Sequence, residues 1–257
     1  MIKQKNLLTA GKRVFLYAPP LKGVRPSKRK PAKPPFAGAK PYQCSVYYYW
    51  WEFLRRHEGY KVTCKNRGTG KYAKLYADFG NVHEGEFWDW WVAHQHLFSE
   101  PPIPSVKAVE KNDVAEIDDG VVLVAIPLEQ RLSFSIRQIR KLLVDKVIVQ
   151  ARSKTKSRAL YPVATKPVLS GLHSCLMVWD AYQRYPRLPL YLIKDFADRR
   201  VSADQMEEFK RARNRAEKDS IGGDKYGRRA KTLAAGRYIR MAKSYIKYVG
   251  LGRFPAS

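Results

Sequence analysis

The chain has 257 residues, a length that suits one or two folded units together with terminal arms. Its 49 Lys and Arg residues outnumber 23 Asp and Glu residues, which gives a net charge of +26, and 45% hydrophobic residues can supply a core. No apolar run approaches the roughly 18 residues of a membrane span, and three widely spaced cysteines exclude a disulfide framework. Composition therefore predicts a cytoplasmic protein that binds nucleic acid, without a cofactor or a membrane partner.

The positive charge is unevenly distributed along the chain. Residues 1–43 carry +11 and residues 44–120 carry −3, whereas residues 121–198 and 199–257 carry +8 and +10. We therefore predict a basic proline-rich arm over 1–43, an aromatic helical subdomain over 44–120 and a basic nucleic-acid-binding domain over 121–257.

The N-terminal arm combines eleven basic residues with seven prolines and has no acid. This proline density opposes helix and favours an extended chain that can follow phosphates in a groove, with Arg25, Arg29 and Lys30 as contacts. Two alternatives remain open: a solvated tail without fixed contacts, and a membrane-surface tether, which would lack an adjoining apolar anchor.

Aromatic residues recur at helical spacing after Ser45. An apolar stripe at i, i+3, i+4, i+7 and i+8 predicts a first helix and consists of Val46, Tyr49, Trp50, Phe53 and Leu54. Tyr47 and Trp51 fall off that stripe. Further helices are predicted over 71–79 and 86–98, so the block should form a small helical subdomain with an aromatic core.

The aromatic side chains allow two interpretations. They could stack on unpaired bases, but base platforms usually lie on strands or loops beside cations. Core spacing in a segment with negative net charge favours core packing instead. Arg55 and Arg56, which end the first helix, are the best candidates for phosphate contacts in this block.

A continuous β-branched run over 121–126 predicts a buried strand. Ser133 begins a predicted helix with an apolar stripe, and its other face carries Arg137, Arg140 and Lys141. Whether 144–149 extends that helix or forms a second strand stays open. These elements predict an α+β fold that is predominantly helical and contains a small sheet.

Basic residues alternate with Ser and Thr immediately after that helix. In an extended chain, this period of two places four cations on one side, matching a run of phosphates. The four are Arg152, Lys154, Lys156 and Arg158. A mobile solvated loop is the alternative interpretation.

A long helix is predicted over 165–184. Within it, His173 and Cys175 are two residues apart and diverge, so they do not form a catalytic pair. The segment 186–197 resembles the first helix of a helix-turn-helix, and a charged helix over 201–218 follows, opened by a capping-box pattern at Ser202. About 30 intervening residues leave a different helical arrangement open.

The final predicted helix, 231–249, contains the clearest binding pattern. Ile239, Ala242, Ile246 and Val249 share one face. The opposite side carries Arg237, Arg240, Ser244 and Lys247. A helix that docks in a major groove requires one apolar face packed against the protein and an opposite face of exposed cations.

Several of these segments resemble a group of largely uncharacterised proteins from proteobacterial prophages and mobile elements. The resemblance rests on the aromatic run 49–56, the segments 68–80 and 87–91, and the Gly-Arg-Tyr and Gly-Arg-Phe-Pro sequences near the C-terminus. It covers most of 44–257 and implies a bacterial mobile-element setting. It brings no established activity and no catalytic residues.

The leading hypothesis is thus a non-enzymatic nucleic-acid-binding protein with DNA favoured over RNA. The alternative is an RNA-binding subunit of a ribonucleoprotein, such as a CRISPR-associated RNA-processing component. A nuclease is the weakest hypothesis, because Asp118, Asp119 and Glu129 flank the predicted strand but no lysine stands two residues after Glu129. His94 and His96 point apart on a helix, so no metal site is predicted. Protein partners stay unknown.

Overall fold

The structure is a computed structural model in which most of the chain can be described. The described residues are Phe15, 33–100, Val124, 126–152, Ser157, 159–163, 168–221 and 227–256, with side chains omitted over 145–152. Contacts divide the chain into a smaller unit, Met1–Gly11 with Pro101–Arg158, and a larger unit, Lys12–Glu100 with Ala159–Ser257.

Helices form nearly all of the regular structure in these residues. The α-helices are α1 (Val46–Arg55), α2 (Glu58–Lys65), α3 (Ala73–Phe79), α4 (Phe87–His94), α5 (Leu132–Arg152), α6 (Leu169–Arg184), α7 (Leu190–Ala197), α8 (Ala203–Arg211), α9 (Arg215–Ile221) and α10 (Arg228–Val249). Two short 3-10 helices, Pro41–Cys44 and Gln95–Phe98, flank the aromatic helices.

The predicted small sheet is wrong. The β-pairing within the described residues is a single isolated parallel bridge between Val163 and Phe254. Val124 and Ile126 are not in a strand, and the rest of the 121–126 run lies outside the described residues. The segment 144–149, which could have supplied a second strand, continues α5 as helix.

The α1 prediction is confirmed, and its stripe lies in an aromatic core of the larger unit. Val46, Tyr49, Trp50, Phe53 and Leu54 are all buried. Helix α1 begins where the Ser45 hydroxyl accepts a hydrogen bond from the Tyr47 amide at 3.1 Å, as an N-cap does. The core-packing interpretation of these aromatics is thus confirmed.

Burial of α1 extends well beyond the predicted stripe. Tyr47 stacks on Trp91 at a ring-centroid distance of 4.7 Å and contacts Phe98 at 4.8 Å. Trp51 lies against Phe87 and is also buried. Because neighbours surround α1 on several sides, one apolar stripe underestimates how much of it is covered.

Helices α3 and α4 confirm the predictions over 71–79 and 86–98, with the latter ending as a 3-10 helix.

Helix α2 was not predicted. Its N-cap is His57, an unusual cap whose Nδ1 accepts a hydrogen bond from the Tyr60 amide at 3.0 Å. Gly59 weakens the helical pattern, but a Cβ there would lie 2.5 Å from the Tyr72 ring. The glycine therefore lets α2 and Tyr72 pack closely.

Helices α6 and α10 connect two hydrophobic clusters of the larger unit. The aromatic cluster includes Leu172 and Leu176 from α6 and Tyr245 from α10. The second cluster takes Val178 and Ala181 from α6 and residues of α7 and α8, together with Ile239 from α10. The two long helices thus form a common frame for both clusters.

The predicted charged helix over 201–218 is two helices, α8 and α9. Helix α8 starts with the predicted capping box, in which Ser202 and Gln205 each cap the other's amide. Helix α9 then begins directly after Asn214, whose side chain accepts a hydrogen bond from the Glu217 amide at 2.8 Å. This second cap explains the break, because Asn competes well for helix N-termini.

In the smaller unit, α5 confirms the helix predicted to begin at Ser133. Its apolar stripe remains largely in solvent: Phe134 is 48% exposed and Leu142 is 64% exposed.

We predict that Trp50→Ala lowers the free energy of unfolding by about 3–5 kcal/mol, because the whole indole is buried in the aromatic core. Trp88→Ala is the matched control, since the Trp88 side chain is partly exposed. Chemical denaturation followed by circular dichroism measures both. Equal losses in the two variants would contradict the assignment of Trp50 as a core residue.

A second prediction concerns His57, which must be neutral at Nδ1 to cap α2. Burial lowers the pKa of His57 from its ordinary value of 6.5, an effect that nearby Lys71 adds to and Glu58 opposes. Because the unfolded chain then binds the proton more readily, stability contributed by neutral His57 is lost as pH falls below about 6.5.

The measurement is the unfolding temperature of His57→Asn between pH 7.5 and 5. Asn keeps a capping acceptor but does not titrate, so this variant should lose less stability on acidification than the unaltered protein. His96→Asn, at an exposed site, should retain the full pH dependence. An unchanged pH dependence in His57→Asn would refute the prediction.

Candidate nucleic-acid interface

Helix α10 has an extreme charge composition. Its 22 residues include seven Lys and Arg residues and no acid. The helix confirms the prediction over 231–249 and begins three residues earlier, at Arg228.

One side of α10 is buried against other helices of the larger unit. Ala235, Ile239, Ala242, Tyr245 and Val249 form this side, where α10 contacts α1, α6 and α7. Ile246, also predicted to be inward, is half-buried against the aromatic cluster. Small Ala235 and Ala242 are completely buried, which allows the α10 backbone to approach its neighbours closely.

The first turn of α10 uses its basic residues to attach the helix to the fold. The Lys231 ammonium lies 2.9 Å from a carboxylate oxygen of Asp195, which is buried in α7. The Arg228 guanidinium lies 2.7 Å from Asp219 of α9. Both contacts join α10 to another helix, and removing Asp195 would take the carboxylate partner from the mostly buried Lys231 ammonium, so these contacts are structural.

Five other basic residues of α10 point outward. They are all exposed, and none forms an ion pair with a carboxylate in the described part of the chain. We call this set the cationic face, and it consists of Arg229, Arg237, Arg240, Lys243 and Lys247.

Helical periodicity explains the separation. Since successive residues rotate by about 100°, the cationic face spans an arc of about 120° opposite the buried residues. From Arg229 to Lys247 it extends about 27 Å along the helix axis. Exposed Leu233 lies within the same arc.

Arg237 lies at the edge of the cationic face, near the α6 interface. Burial raises the pKa of the Cys175 thiol to about 12, and the charge of Arg237 opposes part of that rise. Cys175 is therefore a protonated core side chain. His173 stacks on Phe36 at a ring-centroid distance of 4.4 Å, so the structure gives no catalytic pairing of these two residues.

The arginines that end α1 are already engaged within the larger unit. Arg56 forms a bidentate pair with Asp180 of α6, with both nitrogen–oxygen distances at 2.6 Å, and also contacts Glu52 at 2.5 Å. Burial lowers the pKa of Arg56, but its two carboxylate partners outweigh burial and raise it. Arg55 lies over the Trp51 ring at 4.4 Å.

The remaining predicted contacts lie elsewhere. Arg137, Arg140 and Lys141 are exposed on α5 of the smaller unit. Arg152 ends α5, and its side chain is not among those described. The other predicted contacts lie outside the described residues and are Arg25, Arg29, Lys30, Lys154, Lys156 and Arg158.

Two members of the cationic face, Arg229 and Lys243, were not among the predicted contacts. A stripe drawn at i, i+3, i+7 and i+10 from Arg237 passes beside both residues. The absence of acids over the entire segment 228–249 was the signal that could have identified them. A charge count over the whole helix would have extended the set.

Helices α7 and α10 pack directly against each other, as the two helices of a helix-turn-helix do. Helices α8 and α9 occupy the intervening segment.

Comparison with known proteins finds no matching family model, no similar curated protein and no similar solved structure. Across the described ranges, no helix combines the length and apolar character required to cross a bilayer. The same residues contain no cluster of three or more His, Cys, Asp or Glu side chains arranged to hold a metal ion.

Proposed function

We propose that this protein binds nucleic acid without enzymatic activity, and that the cationic face of α10 contacts the phosphates and groove of double-stranded DNA. The observation that carries the proposal is charge sorting on one helix. Arg228 and Lys231 are paired with internal carboxylates, whereas the five bases of the cationic face have no such partner in the described residues.

The geometry favours a duplex over a single strand. An α-helix fits the major groove of B-form DNA, which is about 12 Å wide, whereas the major groove of A-form RNA is deep and narrow. The aromatic side chains that could have stacked on single-stranded bases are largely in the core, including Trp50 and Trp91. These features support DNA as the ligand and RNA as the competitor to be tested.

The cationic residues of the arm and of 152–158 belong to the same proposal as additional phosphate contacts. We also propose that the protein acts in the cytoplasm, where its three free thiols would stay reduced. The bacterial mobile-element setting is proposed on the sequence resemblance alone.

The direct test compares two Arg→Glu variants with the same change in net charge. Arg240→Glu should weaken binding to a 20-base-pair DNA duplex by about tenfold or more, since each tenfold corresponds to about 1.4 kcal/mol. Arg215→Glu is the control, because Arg215 is 96% exposed on α9 and lies outside the cationic face. Fluorescence anisotropy measures both.

Equal weakening by Arg240→Glu and Arg215→Glu would show that net charge, not the α10 face, determines binding. Tighter binding to an RNA duplex of the same sequence would overturn the preference for DNA. Circular dichroism of both variants confirms that α10 is intact.

Salt dependence gives a further prediction. If all five bases of the cationic face neutralise phosphates, log affinity should fall against log salt concentration with a slope of about −4 to −5, or steeper with contacts elsewhere. The measurement is duplex binding between about 50 and 200 mM salt. A slope shallower than about −2 would contradict a phosphate-binding face of this size.

A further inference from the structure

An open pocket of about 640 Å³ lies in the larger unit, apart from the cationic face. Helix α6 forms one wall, the end of α7 forms another, and the segment 199–202 leading into α8 closes the third side. A cavity of this size is typical of small-ligand sites, which measure roughly 300–1,000 Å³.

Three arginines line the pocket: Arg184 from α6, and Arg199 and Arg200 from the turn after α7. All three are exposed, and none forms an ion pair with a carboxylate in the described part of the chain. Asp180 also lines the pocket, but both of its oxygens accept hydrogen bonds from Arg56. The pocket therefore retains an excess of positive charge.

Most of the remaining lining is apolar, and Ser202 and Gln205 are its other polar residues. Met177 and Ala181 lie on α6, Phe196 lies in the last turn of α7 and Val201 follows the arginine pair. Phe196 is held edge-on against Tyr185 at a ring-centroid distance of 5.3 Å, which fixes its orientation. Apolar walls beside clustered arginines suit a ligand with a flat ring at one end and a phosphate at the other.

We propose that this pocket binds a single unpaired nucleotide of the nucleic acid, with its phosphate on Arg184, Arg199 and Arg200 and its base against Met177 and Phe196. The inference rests on the proposed function, because it names a second contact with the same ligand. It predicts that a frayed or flipped-out nucleotide binds here while a duplex occupies the cationic face.

Arg199 allows the guanidinium to be removed without straining the backbone. Its backbone is left-handed, with φ of 59°, at the position after a helix end where glycine is favoured. Arg199→Gly removes the guanidinium while suiting the backbone, so the unfolding temperature should stay the same or rise. Arg67→Gly is the matched control, because Arg67 is the other described non-glycine residue with positive φ, at 50°, and does not line the pocket.

The experiment titrates the full chain, labelled at its four methionine methyl groups, with thymidine 5′-monophosphate and follows the signals by NMR. The Met177 methyl should shift and saturate, while the Met241 methyl of α10 should not. Arg199→Gly should weaken binding by about tenfold or more, as loss of a charge-assisted hydrogen bond does, whereas Arg67→Gly should bind as the unaltered protein does. Thymidine and inorganic phosphate should each bind more weakly than the monophosphate.

Absence of a saturable Met177 shift, or equal effects of Arg199→Gly and Arg67→Gly, would overturn the pocket proposal. Duplex binding by the unaltered protein and by Arg240→Glu is measured in parallel, so that the pocket and the α10 interface are tested separately. If the unaltered protein shows no pocket binding but still binds the duplex, only the pocket proposal is contradicted. Pocket binding that is retained while the unaltered protein binds no duplex sinks the α10 interface.

Discussion

Burial of one side of α10 is the constraint on which the larger unit depends. Ile239 belongs to one hydrophobic cluster and Tyr245 to the other, so a single helix helps to build both. Gly250, just after α10, lies so close to His57 that a Cβ there would be 2.3 Å from the imidazole. With that side fixed by packing, the rotation of the helix is fixed too, and its remaining bases must face solvent.

The fold sorts its basic residues into structural and unpaired groups. Arg56 and Lys231 each lie against a carboxylate on another helix, which ties α1 to α6 and α10 to α7. Such pairs become costly when one partner is removed, so they are unsuited to exchange with a ligand. The cationic face and the pocket arginines have no such partner among the described residues. The structure thus distinguishes paired from unpaired basic residues, whereas composition gives only the net charge of +26.

Sequence reasoning predicted the elements with strong local signals. The stripe of α1, the cap of α8 at Ser202 and both sides of α10 follow from periodicity and capping chemistry. The predicted sheet was wrong because β-branched residues report propensity, whereas a sheet requires a partner strand. The pairing of Arg56 with Asp180, 124 residues away, and the pocket between α6, α7 and α8 depend on tertiary contacts that no local pattern encodes.

Site-specific photo-cross-linking tests the central claim, that the outward face of α10 contacts DNA, most directly. A benzophenone side chain at Leu233, 66% exposed within the arc of the cationic face, should cross-link to a bound duplex. The same group at Leu160, 65% exposed elsewhere in the larger unit, should not. Cross-linking at Leu160 that equals or exceeds cross-linking at Leu233 would contradict the account.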